Sequence, residues 1–203
     1  MIIAIEGASA SGKTTWCRAQ APELCVPETP ENIAAPDLYD DPPEVGRFWV
    51  NHAIASWQRA LEIERKRGIA VCDGDPFHLY LAWTLWKSGA LDHGLFDIES
   101  VLYWAAFEQR QIGFVDLVLW IEAPLDELRR RAKADGRRRR KRHDMYLALV
   151  PWMKKWFAAR ERILPRTVQP LTALVRLEEL TRSSLPQRYD VAALDAMLQQ
   201  IEA

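Results

Sequence analysis

The chain begins "MIIAIEGASASGKTTW", and its residues 7–14 match the pattern G-x-x-x-x-G-K-[ST] in full. The flanks are those the pattern needs. "MIIAIE" is apolar and β-branched and reads as a buried parallel strand; "TTWCRAQAP" reads as a helix that stops near Pro22. Glycines let backbone N–H groups turn inward around phosphate oxygens, and the helix start behind them adds partial positive charge. Gly7, Ala8, Ser9, Ala10, Ser11, Gly12, Lys13, Thr14 and Thr15 are thus expected to hold the phosphates of ATP, with Lys13 bridging two of them and Thr14 offering its hydroxyl to Mg²⁺. The competing reading, an ordinary glycine turn, does not call for the lysine and threonine.

A strand that feeds such a loop and helix commits the chain to a parallel sheet, and the remaining pattern agrees. "LCVPE" (24–28) reads as a second strand, followed by a proline-rich, acidic loop to about Pro43. Residues 44–67 carry Phe48, Ile54, Trp57 and Leu61 at helical spacing, with Gly68 as a stop signal. "IAVCDGD" is a third strand, 76–88 and 97–112 are helical patterns, and "FVDLVLWIEA" (114–123) is the clearest buried strand. "PLDELRRRAKAD" starts a helix on Pro124, a further helix runs from Asp144 to Ile163, "TALVRLEE" reads as a fifth strand, and "VAALDAMLQQIEA" is a closing helix. Strands alternating with helices predict a three-layer α/β fold, a five-stranded parallel sheet with helices on both faces, in one domain spanning 1–203. Ligands of such sheets bind at the carboxyl ends of the strands, where the first loop, Glu28, Asp73 and Asp75 fall.

Bulk composition narrows the function classes. With 49% hydrophobic and 27% charged residues the chain is globular, and a formal charge of -1 gives it no overall pull toward nucleic acid or an anionic membrane. Cys17, Cys25 and Cys72 form no metal-ligand spacing and read as reduced thiols. The start lacks the features of a signal peptide and no apolar run approaches membrane-spanning length, so the expected compartment is the cytoplasm. The expected partners are ATP and a small-molecule acceptor, with neither nucleic acid nor membrane; homodimerisation stays open.

The strand-end acids are candidates for chemistry. Asp73 is placed to reach Mg²⁺ directly or through water, whereas Asp75 is a weaker metal candidate that also suits the acceptor hydroxyl; both fit a solvated Asp-Gly turn. Glu28 is a candidate general base, and equally a surface acid of an acidic loop.

Ten of the fourteen residues 129–142 are Lys or Arg, in "RRRAKADGRRRRKR". A solvated face would mix signs, and a nucleic-acid patch would interleave aromatics. The preferred reading is a lid over about 135–144 that delivers arginines to a transferring phosphoryl group, with Arg131, Arg137 and Arg139 as candidates. The nine tryptophans read mainly as packing, although Trp49, Trp57, Phe77, Tyr80 and Trp83 lie on helices that should wall an acceptor pocket. His78, His93 and His143 read as surface or capping residues.

With these pieces in view, the chain resembles the deoxynucleoside kinases and, more distantly, the thymidylate kinases. "CVPETPENI" is similar to a strand-end Glu-Pro segment whose glutamate is the family's catalytic base, a role that falls to Glu28 although the proline is shifted by one. "RRRAKADGRRRRKRHDMYLALV" resembles the family's lid, with Arg131, Gly136, Arg137, Tyr146 and Leu147 in the matching places. "NHAIASWQRALEIE" resembles the helix that carries a base-reading glutamine seven residues before an arginine; Arg59 fits, and His52 stands in place of the glutamine. Where the family has an arginine after the acid of the third strand, this chain has Gly74 and then Asp75. The resemblance implies sheet order 2-3-1-4-5, a P-loop fold, and ATP- and Mg²⁺-dependent phosphorylation of a nucleoside or nucleotide-like acceptor. Two alternatives stand beside it: a kinase for another hydroxyl compound such as an antibiotic, and a nucleotide-binding switch with little turnover.

Overall fold

The computed structural model describes residues 1–28, 34–135, 142–172, 175–180 and 185–202. Strand β1 (Ile2–Gly7) lies at the centre of the sheet because it is apolar to both sides, and all six of its residues are buried. It pairs in parallel with β3 (Ala70–Asp73) on one side, Ile2 opposite Ala70, and with β4 (Leu117–Ile121) on the other, Ile3 opposite Leu117. The short β2 (Cys25–Val26) lies outside β3 and β5 (Val168–Pro170) outside β4, so the order is 2-3-1-4-5, as expected from the resemblance.

Side chains of a strand alternate between faces, and β1 divides the core accordingly. Ile2 and Ala4 face a large cluster that includes Val50 and Trp57 of α2 (Pro42–Arg67), Trp83 of α3 (Leu79–Lys87) and Tyr103 and Phe107 of α4 (Gly94–Glu108). Trp156 of α7 (Val150–Ile163) and Leu194 of α8 (Val191–Glu202) complete it. Ile3 and Ile5 face a smaller cluster with Cys17 of α1 (Lys13–Gln20), Val71 and Leu119. Trp57, Trp83 and Trp156 are among the largest fully buried side chains, so these three tryptophans are packing residues. Helix α5 (Leu125–Ala134) follows β4, and α6 (His143–Ala148) follows the arginine-rich stretch. Arg188, just before α8, donates from Nε to Asp116 Oδ1 at 2.8 Å and from Nη1 to Glu64 Oε2 at 2.9 Å, tying the start of β4 to α2.

Two elements differ from expectation. The segment "TALVRLEE" is not a strand: β5 forms just before it, in "VQP", where Pro170 is tolerated because the strand is an edge. Val175 and Leu177 instead pack over the Ile3/Ile5 face, and Leu177–Glu179 is a 3₁₀ turn. Their apolar pattern comes from covering a sheet face, not from joining an edge. The helix expected over Asp144–Ile163 is split at Leu149, because Pro151 in the first turn of α7 has no N–H to continue the ladder. Among the described residues, no helix is long and apolar enough to cross a membrane.

Candidate active site

The loop between β1 and α1 is shaped by residues in left-handed conformations. Gly7 has φ 149°, Ala10 φ 69° and Gly12 φ 106°. At Gly7 a side chain is excluded sterically as well, since a Cβ would lie 2.8 Å from the Ile121 carbonyl oxygen. Helix α1 begins directly on Lys13, and the Trp16 N–H donates to the Gly12 carbonyl at 2.9 Å, so the first-turn N–H groups sit at the loop. Lys13 folds over it, Nζ donating to the Gly7 carbonyl at 2.9 Å. Arg131, on α5, reaches the same loop: its Nη1 donates to the Ser11 carbonyl at 2.8 Å, while its Nε donates to Glu127 at 2.7 Å. A cationic side chain on α5 is thereby held against the loop.

The loop lines a cleft of about 1830 Å³ at the carboxyl ends of the strands. That exceeds the roughly 300–1,000 Å³ of a site for one small molecule, so there is room for two side by side. All nine predicted phosphate-loop residues, Gly7 to Thr15, line it, as do Glu28, Asp73 and Arg131. Its lining also includes the apolar and aromatic side chains of Leu38, Trp49, Leu81, Tyr146 and Met153. Glu28 follows β2, and His52 of α2, nearly buried, donates from Nε2 to the Glu28 carbonyl oxygen at 2.8 Å. A carbonyl can only accept, which fixes the proton of His52 on Nε2.

Beneath the loop lies a residue that the sequence reading passed over. Glu6, the last side chain of β1 before Gly7, is fully buried; its Oε1 accepts from the Asp75 N–H at 2.6 Å and the Tyr80 hydroxyl at 3.0 Å, and its Oε2 accepts from the Gly7 N–H at 3.1 Å. Burial raises its carboxyl to about 7, against the opposing pull of the Lys13 ammonium. An acid closing an otherwise apolar strand was the one signal available in the sequence. His78 takes the N-cap position of α3, in line with the capping expectation, and also lines the cleft; burial pushes its imidazole down to about 4 although Glu28 pulls the other way, so the ring is neutral.

Four expected acceptor-side residues lie elsewhere. Trp57 is fully buried and donates from Nε1 to the Tyr189 hydroxyl at 3.2 Å, deep between α2 and the segment before α8. Phe77 sits in a ring cluster, its centroid 5.0 Å from Tyr103 and 5.1 Å from Phe107. Arg59 is exposed on α2, off the cleft lining, because its helical position points outward between buried Trp57 and Ala60. Asp75, 1% exposed, is locked to Arg160 Nη1 at 2.9 Å and faces the core instead of the cleft, so it is not placed to serve as a base. His52 touches only a small recess beside the cleft and acts on Glu28 through the main chain. Arg137 and Arg139, and most of the expected lid, lie outside the described residues.

No protein-family model matches the chain, and no protein of curated function matches it by sequence. Its fold is found among solved structures of deoxyadenosine kinase from M. mycoides. The structure with products dCMP and a flexible dCDP bound is similar at TM-score 0.60 and 15% identity, over 100% of this chain and 95% of that one. Those with bound dATP and dCTP are similar at TM-scores 0.55 and 0.56, with 10% and 11% identity, over 100% of this chain and 100% and 99% of theirs. The chain has the fold of these structures, with its own sheet in the order 2-3-1-4-5.

Proposed function

We propose that the chain is an ATP- and Mg²⁺-dependent kinase that transfers the γ-phosphoryl group to a hydroxyl of a nucleoside or nucleotide-like small molecule. The observation that carries this reading is the sharing of one cleft, large enough for two ligands, by a phosphate-binding loop and the Glu28 carboxylate. Nucleotides bound in the M. mycoides kinase structures, which have the same fold, support the substrate class.

Thr14 and Asp73 both line the cleft and offer oxygen ligands, the donor type a hard cation takes. Among the described residues no three His, Cys, Asp or Glu side chains form a metal cage. When bound there, Mg²⁺ would neutralise charge on the phosphates of ATP.

The residues divide the work of an in-line transfer. Lys13 and the loop N–H groups hold the transferring phosphates, and Arg131 stabilises charge as it develops on them. The acceptor oxygen bonds to the γ-phosphorus, the bond from that phosphorus to the β-γ bridging oxygen breaks, and ADP leaves with the electron pair. Glu28 takes the acceptor's proton and passes it to solvent. ADP release measured with a panel of nucleosides, deoxynucleosides and nucleoside monophosphates tests the reading. Acceptor-stimulated turnover is expected; tight ATP binding without stimulation by any acceptor overturns it.

A further inference from the structure

Glu28 is not alone at the acceptor end. A side chain built on Gly74 would find its Cβ 3.5 Å from Glu28 Cγ, 3.7 Å from Glu28 Oε1 and 3.6 Å from His78 Nε2. The bare α-carbon of one glycine therefore has the Glu28 carboxylate and the His78 ring edge packed against a single point. Gly74 has φ 94°, a conformation that disfavours any side chain there, so the backbone keeps this gap open. The gap belongs to a recess of about 10 Å³, the space of roughly one water oxygen, bounded by Glu28, His52, Asp73, Gly74 and His78. His78 and Glu28 line both this recess and the large cleft, so a small polar group entering from the cleft meets them together.

We propose that His78 is an acceptor-binding residue: its Nε2–H donates to the oxygen of the hydroxyl that Glu28 deprotonates, so that the two side chains grip that hydroxyl from either side of Gly74. The placement follows from local structure. His78 immediately precedes α3, its N–H donates to the Pro76 carbonyl at 2.9 Å, and its carbonyl accepts from Leu81 at 2.8 Å, so the ring is carried on a fixed turn at the strand end. Its neutral ring supplies a hydrogen-bond donor without adding a cation to the site. Two directional contacts on one hydroxyl aim its lone pair, which is the geometric requirement of in-line attack.

The inference rests on the reading of Glu28 as the base, and the two are separable by experiment. With an acceptor that stimulates the native enzyme, His78→Ala is expected to lower kcat/KM for that acceptor by about 10- to 100-fold, the usual effect of losing a hydrogen bond at a reacting group. ATP affinity, measured by titration with a fluorescent ATP analogue, and Tm should remain close to native. His78→Gln, which restores an N–H donor, should recover most of the loss, whereas the similarly sized apolar His78→Leu should not. Should His78→Ala fail to fold, the Gln and Leu variants carry the comparison. Native turnover with kcat/KM within twofold in His78→Ala or His78→Leu overturns the role of His78 and leaves the kinase reading intact. An equal fall in ATP affinity and in acceptor kcat/KM also overturns it, since the residue would then only be supporting the loop. A native protein that no acceptor stimulates overturns both.

Discussion

Asp75 Oδ2 and Arg160 Nη1 lie 2.9 Å apart, with both side chains 1% exposed. The pair joins the end of β3 to α7, and neither partner is left with the other as its sole contact. Asp75 Oδ1 accepts from the Phe77 N–H at 3.0 Å, and Arg160 Nη2 donates to the Val115 carbonyl at 2.6 Å. Breaking a buried pair strands a charge, so Arg160→Met is expected to lower unfolding free energy by about 3–5 kcal/mol, read from urea denaturation. A loss of turnover without a loss of stability in Asp75→Asn would instead return Asp75 to the candidates for the base.

Glu28→Gln removes the proton acceptor while leaving its main chain free to accept from His52. The variant is expected to lose about 10²- to 10⁴-fold in kcat, with ATP affinity within about twofold of native. Steady-state kinetics together with nucleotide titration check both halves of the statement.

Lys13 and Arg131 both donate to the loop, at the carbonyls of Gly7 and Ser11 respectively. Lys13→Ala should abolish detectable turnover. Arg131→Ala should reduce kcat by about 10²- to 10³-fold, the scale of one lost charge-stabilising donor, and an undiminished kcat would remove Arg131 from the site.

Gly7 offers a steric test. A methyl group there would meet the Ile121 carbonyl oxygen at 2.8 Å and Ser11 Oγ at 2.9 Å, and the first of these is backbone that cannot rotate away. Gly7→Ala should therefore shift the loop and weaken nucleotide binding more than about tenfold, consistent with a few kcal/mol of strain. Binding of a fluorescent ATP analogue gives the measurement.

Glu6 gives a pH signature. Its carboxyl rises from 4.5 to about 7 on folding, chiefly through burial, so the fold favours its protonated form. The associated stabilisation is fully present below about pH 4.5 and is lost as the pH rises through about 7. Glu6→Gln does not titrate there. Its stability relative to native protein should rise by about 3 kcal/mol between pH 4.5 and 8, and a difference that stays flat in urea denaturation at the two pH values would show that Glu6 titrates normally.

Some of the site was legible because its residues are bound to a local pattern. The phosphate loop needs only a strand, two glycines, a lysine and a helix in succession, and Glu28 and Asp73 only had to stand at or just past strand ends. Helical residues were harder. Trp57 and Arg59 lie midway along α2 and Phe77 just after β3, yet which face of a helix or turn meets a cleft depends on what packs behind it. For Phe77 that is Tyr103, Phe107 and Phe114, three side chains far along the chain. Asp75 was misjudged for the same reason: nothing adjacent to it announces Arg160, eighty-five positions away.

The sequence by itself determined the phosphate loop and its flanking strand and helix, the parallel α/β class, and the acids at the strand ends. These follow from short-range rules: glycine at positive φ, short continuous apolar runs for strands buried on both faces, and the fixed exit of a parallel strand toward its ligand edge. Only the tertiary structure decided which acids face the cleft, that Glu6 is buried under the loop, and that His78 and Glu28 meet beside Gly74. Burial and the meeting of distant side chains are set by the packing of whole elements, which no local pattern encodes.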